Sequence, residues 1–189
     1  ETGFKSVKDG VQRFAVETEF GDWDKPENFS LGALEDSIKE YYRVLRAGGT
    51  AIIFCDIWKI SQIKEILERN KFKQIRLIDW IKTNPVPLNS SRNYLTNSRE
   101  VALSAVKVSK PTFNSKYDNG LYRYPICHDK GRFHSTQKPL AFMEERIRKH
   151  SNEDNVVLDT FAGAATTLVA AKNMSRQYVG CEFDKECFV

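Results

Sequence analysis

No stretch of the 189 residues approaches the roughly 18 consecutive apolar positions that a membrane-spanning helix requires, so no membrane partner is expected. The first residues, ETGFKSVKDG, carry neither an apolar signal core nor an initiator Met, which points to a cytoplasmic chain and to a fragment. Cys55, Cys127, Cys181 and Cys187 contain no CxxC pair, which argues against a zinc or redox site; they read as reduced and mostly buried. Glycine is sparse where it would be most telling. The stretch VVLDTFAGAATTLVAA, Val156 to Ala171, has the form of a buried strand, a turn and a helix, yet Gly163 is its one glycine, where a dinucleotide loop G-x-G-x-x-G would have three.

The composition, 41% hydrophobic and 29% charged, is that of one globular domain spanning 1–189. Its net charge of +4 is concentrated: between Lys107 and Phe133 lie six basic residues (Lys107, Lys110, Lys116, Arg123, Lys130, Arg132) and two acids (Asp118, Asp129), leaving 23 of each sign elsewhere. Phe113, Tyr117, Tyr122, Tyr124 and Phe133 are interleaved with those charges. That mixture suits a surface that neutralises phosphates and packs bases or sugars against rings. It also suits a solvated loop whose aromatics plug into the core.

Hydrophobic spacing predicts alternating helices and strands. Leu31, Leu34, Ile38, Tyr41 and Leu45 step by three and four along a helix ending at Gly48-Gly49. TAIIFCD, Thr50 to Asp56, is a continuously apolar strand of the kind covered on both faces. A short helix with Ile60, Ile63, Ile66 and Leu67 inward follows, then a strand FKQIRLIDWIK ending near Lys82 and a break at TNPVPLNSS. Glu100 to Val108 is the next strand. After the basic segment, Ser135 or Thr136 is placed to cap a helix from about Pro139 with Leu140, Met143 and Ile147 inward. The last unit is strand Val156–Phe161, helix Ala164–Asn173 and strand Gln177–Phe183. The first thirty residues offer VQRFAV as their only candidate strand. The pattern predicts an α/β fold, an open, mainly parallel sheet with helices on both faces.

In such a unit ligands gather at the carboxyl ends of the strands, where Asp159, Phe161 and Gly163 lie. A single glycine suits a ligand without phosphates. Glu182, at the end of the following strand, is placed to accept hydrogen bonds from two ribose hydroxyls. Spacing alone leaves three readings: adenosine, a dinucleotide, or a helix-packing glycine and a surface acid in a fold of another purpose.

HSTQKPLAFMEERI followed by NVVLDTFAGAATTLVAAKNMSRQYVGCEFDKECF closely resembles the paired motifs of the β-class amino-methylating DNA methyltransferases, H-x-T-Q-K-P and D-P-F-x-G-S-G-T-T. FGDWD, YYRVLRAGGTAIIF, DWIKTNPVPLN and SREVALSAVK resemble the family's middle motifs, in its circularly permuted order. The resemblance covers nearly the whole chain. It implies a Rossmann-like methyltransferase fold and methyl transfer from S-adenosylmethionine to adenine N6 or cytosine N4, of which adenine N6 is the expectation. It implies that Thr136, Gln137 and Lys138 lie near the methionine end of the cofactor, that Asp159, Phe161, Gly163, Thr166 and Thr167 form its loop, that Glu182 takes the ribose hydroxyls, and that Phe183 lies beside the adenine ring. It puts target recognition in 107–133, with Lys116, Tyr122, Arg123, Lys130 and Arg132 as the DNA contacts. The implied setting is restriction-modification or epigenetic marking in a bacterium or phage-infected cell. The expected partners are double-stranded DNA, a second copy of the chain and a cognate restriction endonuclease.

The chain departs from the family pattern where the chemistry is done. The family's catalytic motif, Asp, Asn or Ser followed by Pro-Pro and an aromatic, is not in these residues. TNPVP, Thr83 to Pro87, imitates it with Val86 between the prolines and no aromatic after them, so no residue is assigned as catalytic. The expectation is that the chain begins just downstream of that motif and that two of the usual seven strands lie outside the sequence or are replaced by another segment, since a gap within a sheet leaves backbone groups unpaired. Thr160 stands for a usual proline and Ala165 for a usual glycine, and the methyl of Ala165 is expected to crowd the cofactor. Alternatives from other classes are a cofactor- and DNA-binding subunit without activity of its own, and a Rossmann oxidoreductase, which the single glycine disfavours.

Overall fold

The computed structural model describes residues 6–8, 11–13, 30–85, 98–108, 110–127 and 137–183. Strands β1 (Ser6–Lys8) and β2 (Val11–Arg13) form a small antiparallel pair, so VQRFAV does begin as a strand. Helix α1 (Leu31–Val44) starts where the Ser30 side chain accepts from the Ala33 N–H. It buries Leu34 and Ile38, while Leu31, expected inward, stays 39% exposed. A strand β3 (Thr50–Cys55), a 3-10 turn (Ile57–Lys59) and helix α2 (Ile60–Arg69) follow, the helix burying Ile63, Ile66 and Leu67 as its spacing predicts.

Strands β4 (Phe72–Lys82) and β5 (Arg99–Lys107) form the centre of a four-stranded sheet in the order β3-β5-β4-β6, with β6 (Leu121–Tyr124) at one edge; among the described residues β3 is the other edge and is half-buried throughout, not a strand covered on both faces as its apolar run suggests. Strand β5 runs antiparallel to both β3 and β4, and β4 runs parallel to β6. Thus β3, β4 and β6 share one direction and β5 opposes it.

Two cores flank this sheet. Leu34 and Ile38 of α1 and Ile63, Ile66 and Leu67 of α2 pack on Leu103 and Ala105 on one face. On the other, Phe142, Met143 and Ile147 of helix α3 (Leu140–His150) pack on Ile78, Trp80, Ala102 and Tyr122. In α3, Phe142 and Arg146 are buried, whereas Leu140, expected inward, is 39% exposed. A register shift between Lys73 and Arg76, where Gln74 has φ +48°, explains how β4 serves both cores. Phe72 and Ile75 face α1 and α2 while Ile78 and Trp80 face α3; strict alternation would put Phe72 on the α3 side with Ile78 and Trp80.

The last unit is β7 (Val156–Asp159), helix α4 (Thr166–Asn173) and β8 (Gln177–Gly180), with β7 and β8 parallel. Each element is shorter than its sequence pattern predicts. Two bonds orient β7. At the end of α1, where Lys107 Nζ bonds the Leu45 carbonyl, Arg46 donates to Asn155 Oδ1 at 2.7 Å. Further back along α1, Tyr41 Oη meets Thr160 Oγ1 at 2.8 Å. So β7 is tied at both ends to the last turn of α1 and the residues just after it. Among the described residues no backbone ladder joins β7 to β3.

Candidate functional site

The carboxyl ends of β7 and β8 are knitted together by short backbone bonds. Cys181 N–H donates to the Asp159 carbonyl at 2.9 Å, and Ala162 N–H to the Cys181 carbonyl at 3.0 Å. Asp159 Oδ1 accepts the Phe161 amide at 3.1 Å, folding the chain into a tight turn directly after the strand. Glu182 closes the loop from the other side: Oε2 accepts the Gly163 amide at 2.6 Å and Oε1 the Phe183 amide at 2.8 Å.

Gly163 has φ +48°, and a methyl group built on it would meet nothing within 4 Å. It is needed for its backbone conformation rather than for close packing. Gly180 is the reverse case: any Cβ there would run into the side chain of Leu168, so β8 and α4 touch only because that position is bare. Ala165, the residue before α4, sits at φ 55°, ψ 20°, a left-handed conformation that L-residues adopt at a cost. The family pattern that the sequence resembles has glycine here, and the dihedral shows why glycine suits the position. Thr166 and Thr167 open α4 half-buried. Phe161 is 60% exposed and Phe183 99%, two rings at the loop.

Gln137 and Lys138 precede α3, and Lys138 lies at the carboxyl ends of β3 and β4. Lys138 Nζ lies 3.0 Å from Glu100 Oε2 and over the Phe54 ring, at the end of β3. Lys82 Nζ, at the end of β4, holds the other oxygen of Glu100, also at 3.0 Å. Burial alone would raise the Glu100 carboxyl, but the ammonium groups of Lys138 and Lys82 outweigh it and hold the group below its ordinary carboxylate value. This Lys82–Glu100–Lys138 bridge is a feature that sequence reasoning missed. The cue was available only as a lysine and a glutamate at adjoining strand ends, which have meaning once β4 and β5 pair. At the neighbouring end of β3, burial and then Asp56 push the Cys55 thiol up to about 11, so this cysteine is no nucleophile at neutral pH. Of the other cysteines, Cys127 is half-buried and Cys181 exposed, against the expectation that they are mostly buried.

The expected DNA contacts divide. Lys130 and Arg132 lie outside the described residues, as does Thr136 of the expected cofactor set. Lys116 and Arg123 are exposed. Tyr122 is 6% exposed and forms part of the α3 core. Its hydroxyl donates to Asp118 at 2.8 Å and the Arg146 guanidinium lies on its ring, so the ring is not presented at the surface. Lys107 is likewise spent internally, on the Leu45 carbonyl at 2.7 Å and over the Tyr42 ring. Among the described residues no group of three His, Cys, Asp or Glu is arranged to hold a metal, and no helix is long and apolar enough to cross a membrane.

The fold is that of the S-adenosylmethionine-dependent methyltransferases. It superposes on the crystal structure of the M1.HpyAVI-SAM complex with a TM-score of 0.71 at 36% identity, over 82% of this chain and 78% of that one. The PvuII cytosine-N4-specific DNA methyltransferase superposes equally well, TM-score 0.71 over 94% and 77%, at 14% identity, a likeness of fold alone. Residues 4–188 match the DNA methylase family N6_N4_Mtase, and the chain belongs to that family. It is 32% identical over 183 residues to the Type II methyltransferase M2.MboI of Moraxella bovis, covering 88% of this chain and 66% of that protein. The chain thus spans about two thirds of the length of that relative.

Proposed function

We propose that this chain is the cofactor-binding and DNA-docking part of a methyltransferase that moves a methyl group from S-adenosylmethionine to an exocyclic amine of a DNA base, with adenine N6 as the target. The observation that carries the reading is the Glu182 carboxylate drawn onto the amide of Gly163, with the exposed ring of Phe183 beside it. A carboxylate at the tip of a second parallel strand accepts ribose hydroxyls, and an uncovered ring stacks on adenine. The donor set therefore fits a nucleoside, and a loop with a single glycine, its amide held by Glu182, fits a ligand without a pyrophosphate.

The cofactor supplies an electrophilic methyl on a sulfonium. In this reading Glu182 holds the ribose, Asp159 and Gly163 shape the loop, Thr166 and Thr167 border it, and Lys138, fixed by Glu100, stands on the methionine side with Gln137 and Thr136. An exocyclic amine is a weak nucleophile because its lone pair is delocalised into the ring. Attack needs acceptors that localise the pair and a base brought out of the duplex, and none of the residues named here fills that acceptor role.

Labelled methyl transfer to duplex DNA, followed by digestion to nucleosides, tests the reaction and its target. N6-methyladenine is the expected product, and N4-methylcytosine would reassign the base. Cofactor binding without transfer by this chain would favour the second reading, a docking subunit in a modification complex. Calorimetry should read S-adenosylmethionine binding and none for NAD; the converse would sink both. Glu182→Ala should weaken the cofactor by about 1–3 kcal/mol, the usual cost of unpairing buried hydroxyls.

A further inference from the structure

The β7-α4-β8 unit is tied to the rest of the chain differently at its two ends. Where β7 and β8 begin, Arg46 donates to Asn155 at 2.7 Å, Asn173 to Glu144 at 2.8 Å and Arg176 to Ser151 Oγ at 3.0 Å. At the opposite end, where the loop starts, the tie is a hydroxyl pair, Tyr41 Oη and Thr160 Oγ1 at 2.8 Å. Thr160 is the residue spanned by the Asp159–Phe161 turn, so whatever fixes Thr160 fixes the start of the loop. Tyr41 is built to do so. It continues the stripe of Leu34 and Ile38 along α1, and its ring packs against the core that those residues share with α2. Its neighbour Tyr42 lies edge-on to Phe72 at 5.2 Å. The Tyr41 phenol is therefore a short, rigid arm from the scaffold to the loop.

The sequence adds a second sign. Thr160 stands where the family pattern has proline, whose ring fixes its own φ near −65°. Asp159 ends β7 and is extended, the conformation that a following proline favours. Threonine gives up that restraint and brings a hydroxyl, and the hydroxyl has its partner on α1.

We propose that Tyr41 is a positioning residue for the S-adenosylmethionine loop: its bond to Thr160 holds the start of the loop in the conformation that binds the cofactor, the task a proline performs in the family pattern. The proposal rests on the cofactor reading of the preceding subsection and adds a residue that lies outside the loop. Without the tie the loop samples other conformations, and affinity falls by the fraction of time spent in them.

The test is S-adenosylmethionine affinity of this chain, read by calorimetry, with urea midpoints to follow the fold. Tyr41→Phe and Thr160→Val should each weaken binding about threefold to tenfold, and the double variant no further than either single one. Thr160→Ser, which keeps the hydroxyl, should bind as the wild type does. Thr160→Pro introduced into Tyr41→Phe should restore affinity to within about twofold of wild type. Arg46→Met, which cuts the tie at the other end, should leave affinity unchanged. Wild-type affinity in Tyr41→Phe and Thr160→Val, whatever their urea midpoints, makes the bond structural only and overturns the proposal while the cofactor reading stands. An equal loss in Arg46→Met overturns it too, as does a Thr160→Pro substitution that restores nothing. A wild-type chain that binds no S-adenosylmethionine overturns the cofactor reading and the proposal together.

Discussion

Strand β5 is buried at every residue from Val101 to Val106, whereas all four residues of β8 are exposed. Both belong to one fold, and the contrast extends to their neighbours. The four-stranded sheet has a core on each face, and a single residue, Phe142, touches the rings of Phe54, Trp80, Tyr122 and Tyr124 within it. The β7-α4-β8 unit buries Ala170 and Ala171 against that same core but leaves Val156, Leu158 and Val179 61%, 43% and 51% exposed. Parallel strands are ordinarily covered on both faces. The β7-α4-β8 unit is therefore held from one side and by a few polar tethers, and such a unit opens locally at lower cost than the scaffold beneath it.

The largest effect that probes this contrast is Phe142→Ala. With no exposure and four aromatic neighbours, its removal should cost about 3–5 kcal/mol in denaturant unfolding and lower the whole chain's stability. A loss confined to the β7-α4-β8 unit would mean that the sheet does not depend on α3. Next is Arg176, 8% exposed just before β8, which donates to Ser151 Oγ at 3.0 Å, to the Ser151 carbonyl at 2.7 Å and to the Met174 carbonyl. Arg176→Ala strands those acceptors and should cost about 2–3 kcal/mol. Here hydrogen exchange should quicken in β7 and β8 before β4 and β5.

Acid should act on the opposite half. Burial and then the Arg146 charge push His150 down to about 4, so between roughly pH 6.5 and 4 the unfolded chain binds the proton and stability falls as pH falls. Asp118 is lowered to about 2: burial would raise it, but the hydrogen bond from Lys149, the Gly120 amide and the Tyr122 hydroxyl outweigh that. Its contribution is complete above about pH 4 and is lost as pH falls towards 2. His150→Leu should remove the first loss and leave the second, as read from urea midpoints across pH. An unchanged profile would place the acid sensitivity elsewhere.

Much of this was legible in the residues, for unequal reasons. Helices α1 and α2 announce themselves because each buries a regular stripe, β3 and β5 because each is a continuous apolar run, and the β7-turn-α4 unit because its residue types and their order match a family. Strand β6 was missed: four residues alternating Leu, Tyr, Arg and Tyr inside a basic segment look like a binding surface, and only pairing with β4 turns Tyr122 inward. Arg146 was missed because an arginine at a helical core position reads as solvated, while here aromatic rings and Glu145 receive it. The β4 register shift was invisible because FKQIRLIDWIK satisfies a strand in either parity. The Glu100 bridge depends on a strand pairing that no local pattern carries.

The smallest effect tests the loop itself. Ala165 holds φ 55° at the entrance to α4, and a left-handed L-residue costs about 1–2 kcal/mol, against roughly 0.5–1 kcal/mol for the extra chain entropy that glycine loses on folding. Ala165→Gly should therefore stabilise the chain by about 0.5–1 kcal/mol. If the methyl group crowds the ligand as the sequence suggests, calorimetry reads tighter S-adenosylmethionine binding in the same variant. A gain in stability with unchanged affinity would assign the whole effect to the backbone. A loss of stability would mean that the surrounding unit, open as it is, relaxes around alanine without strain.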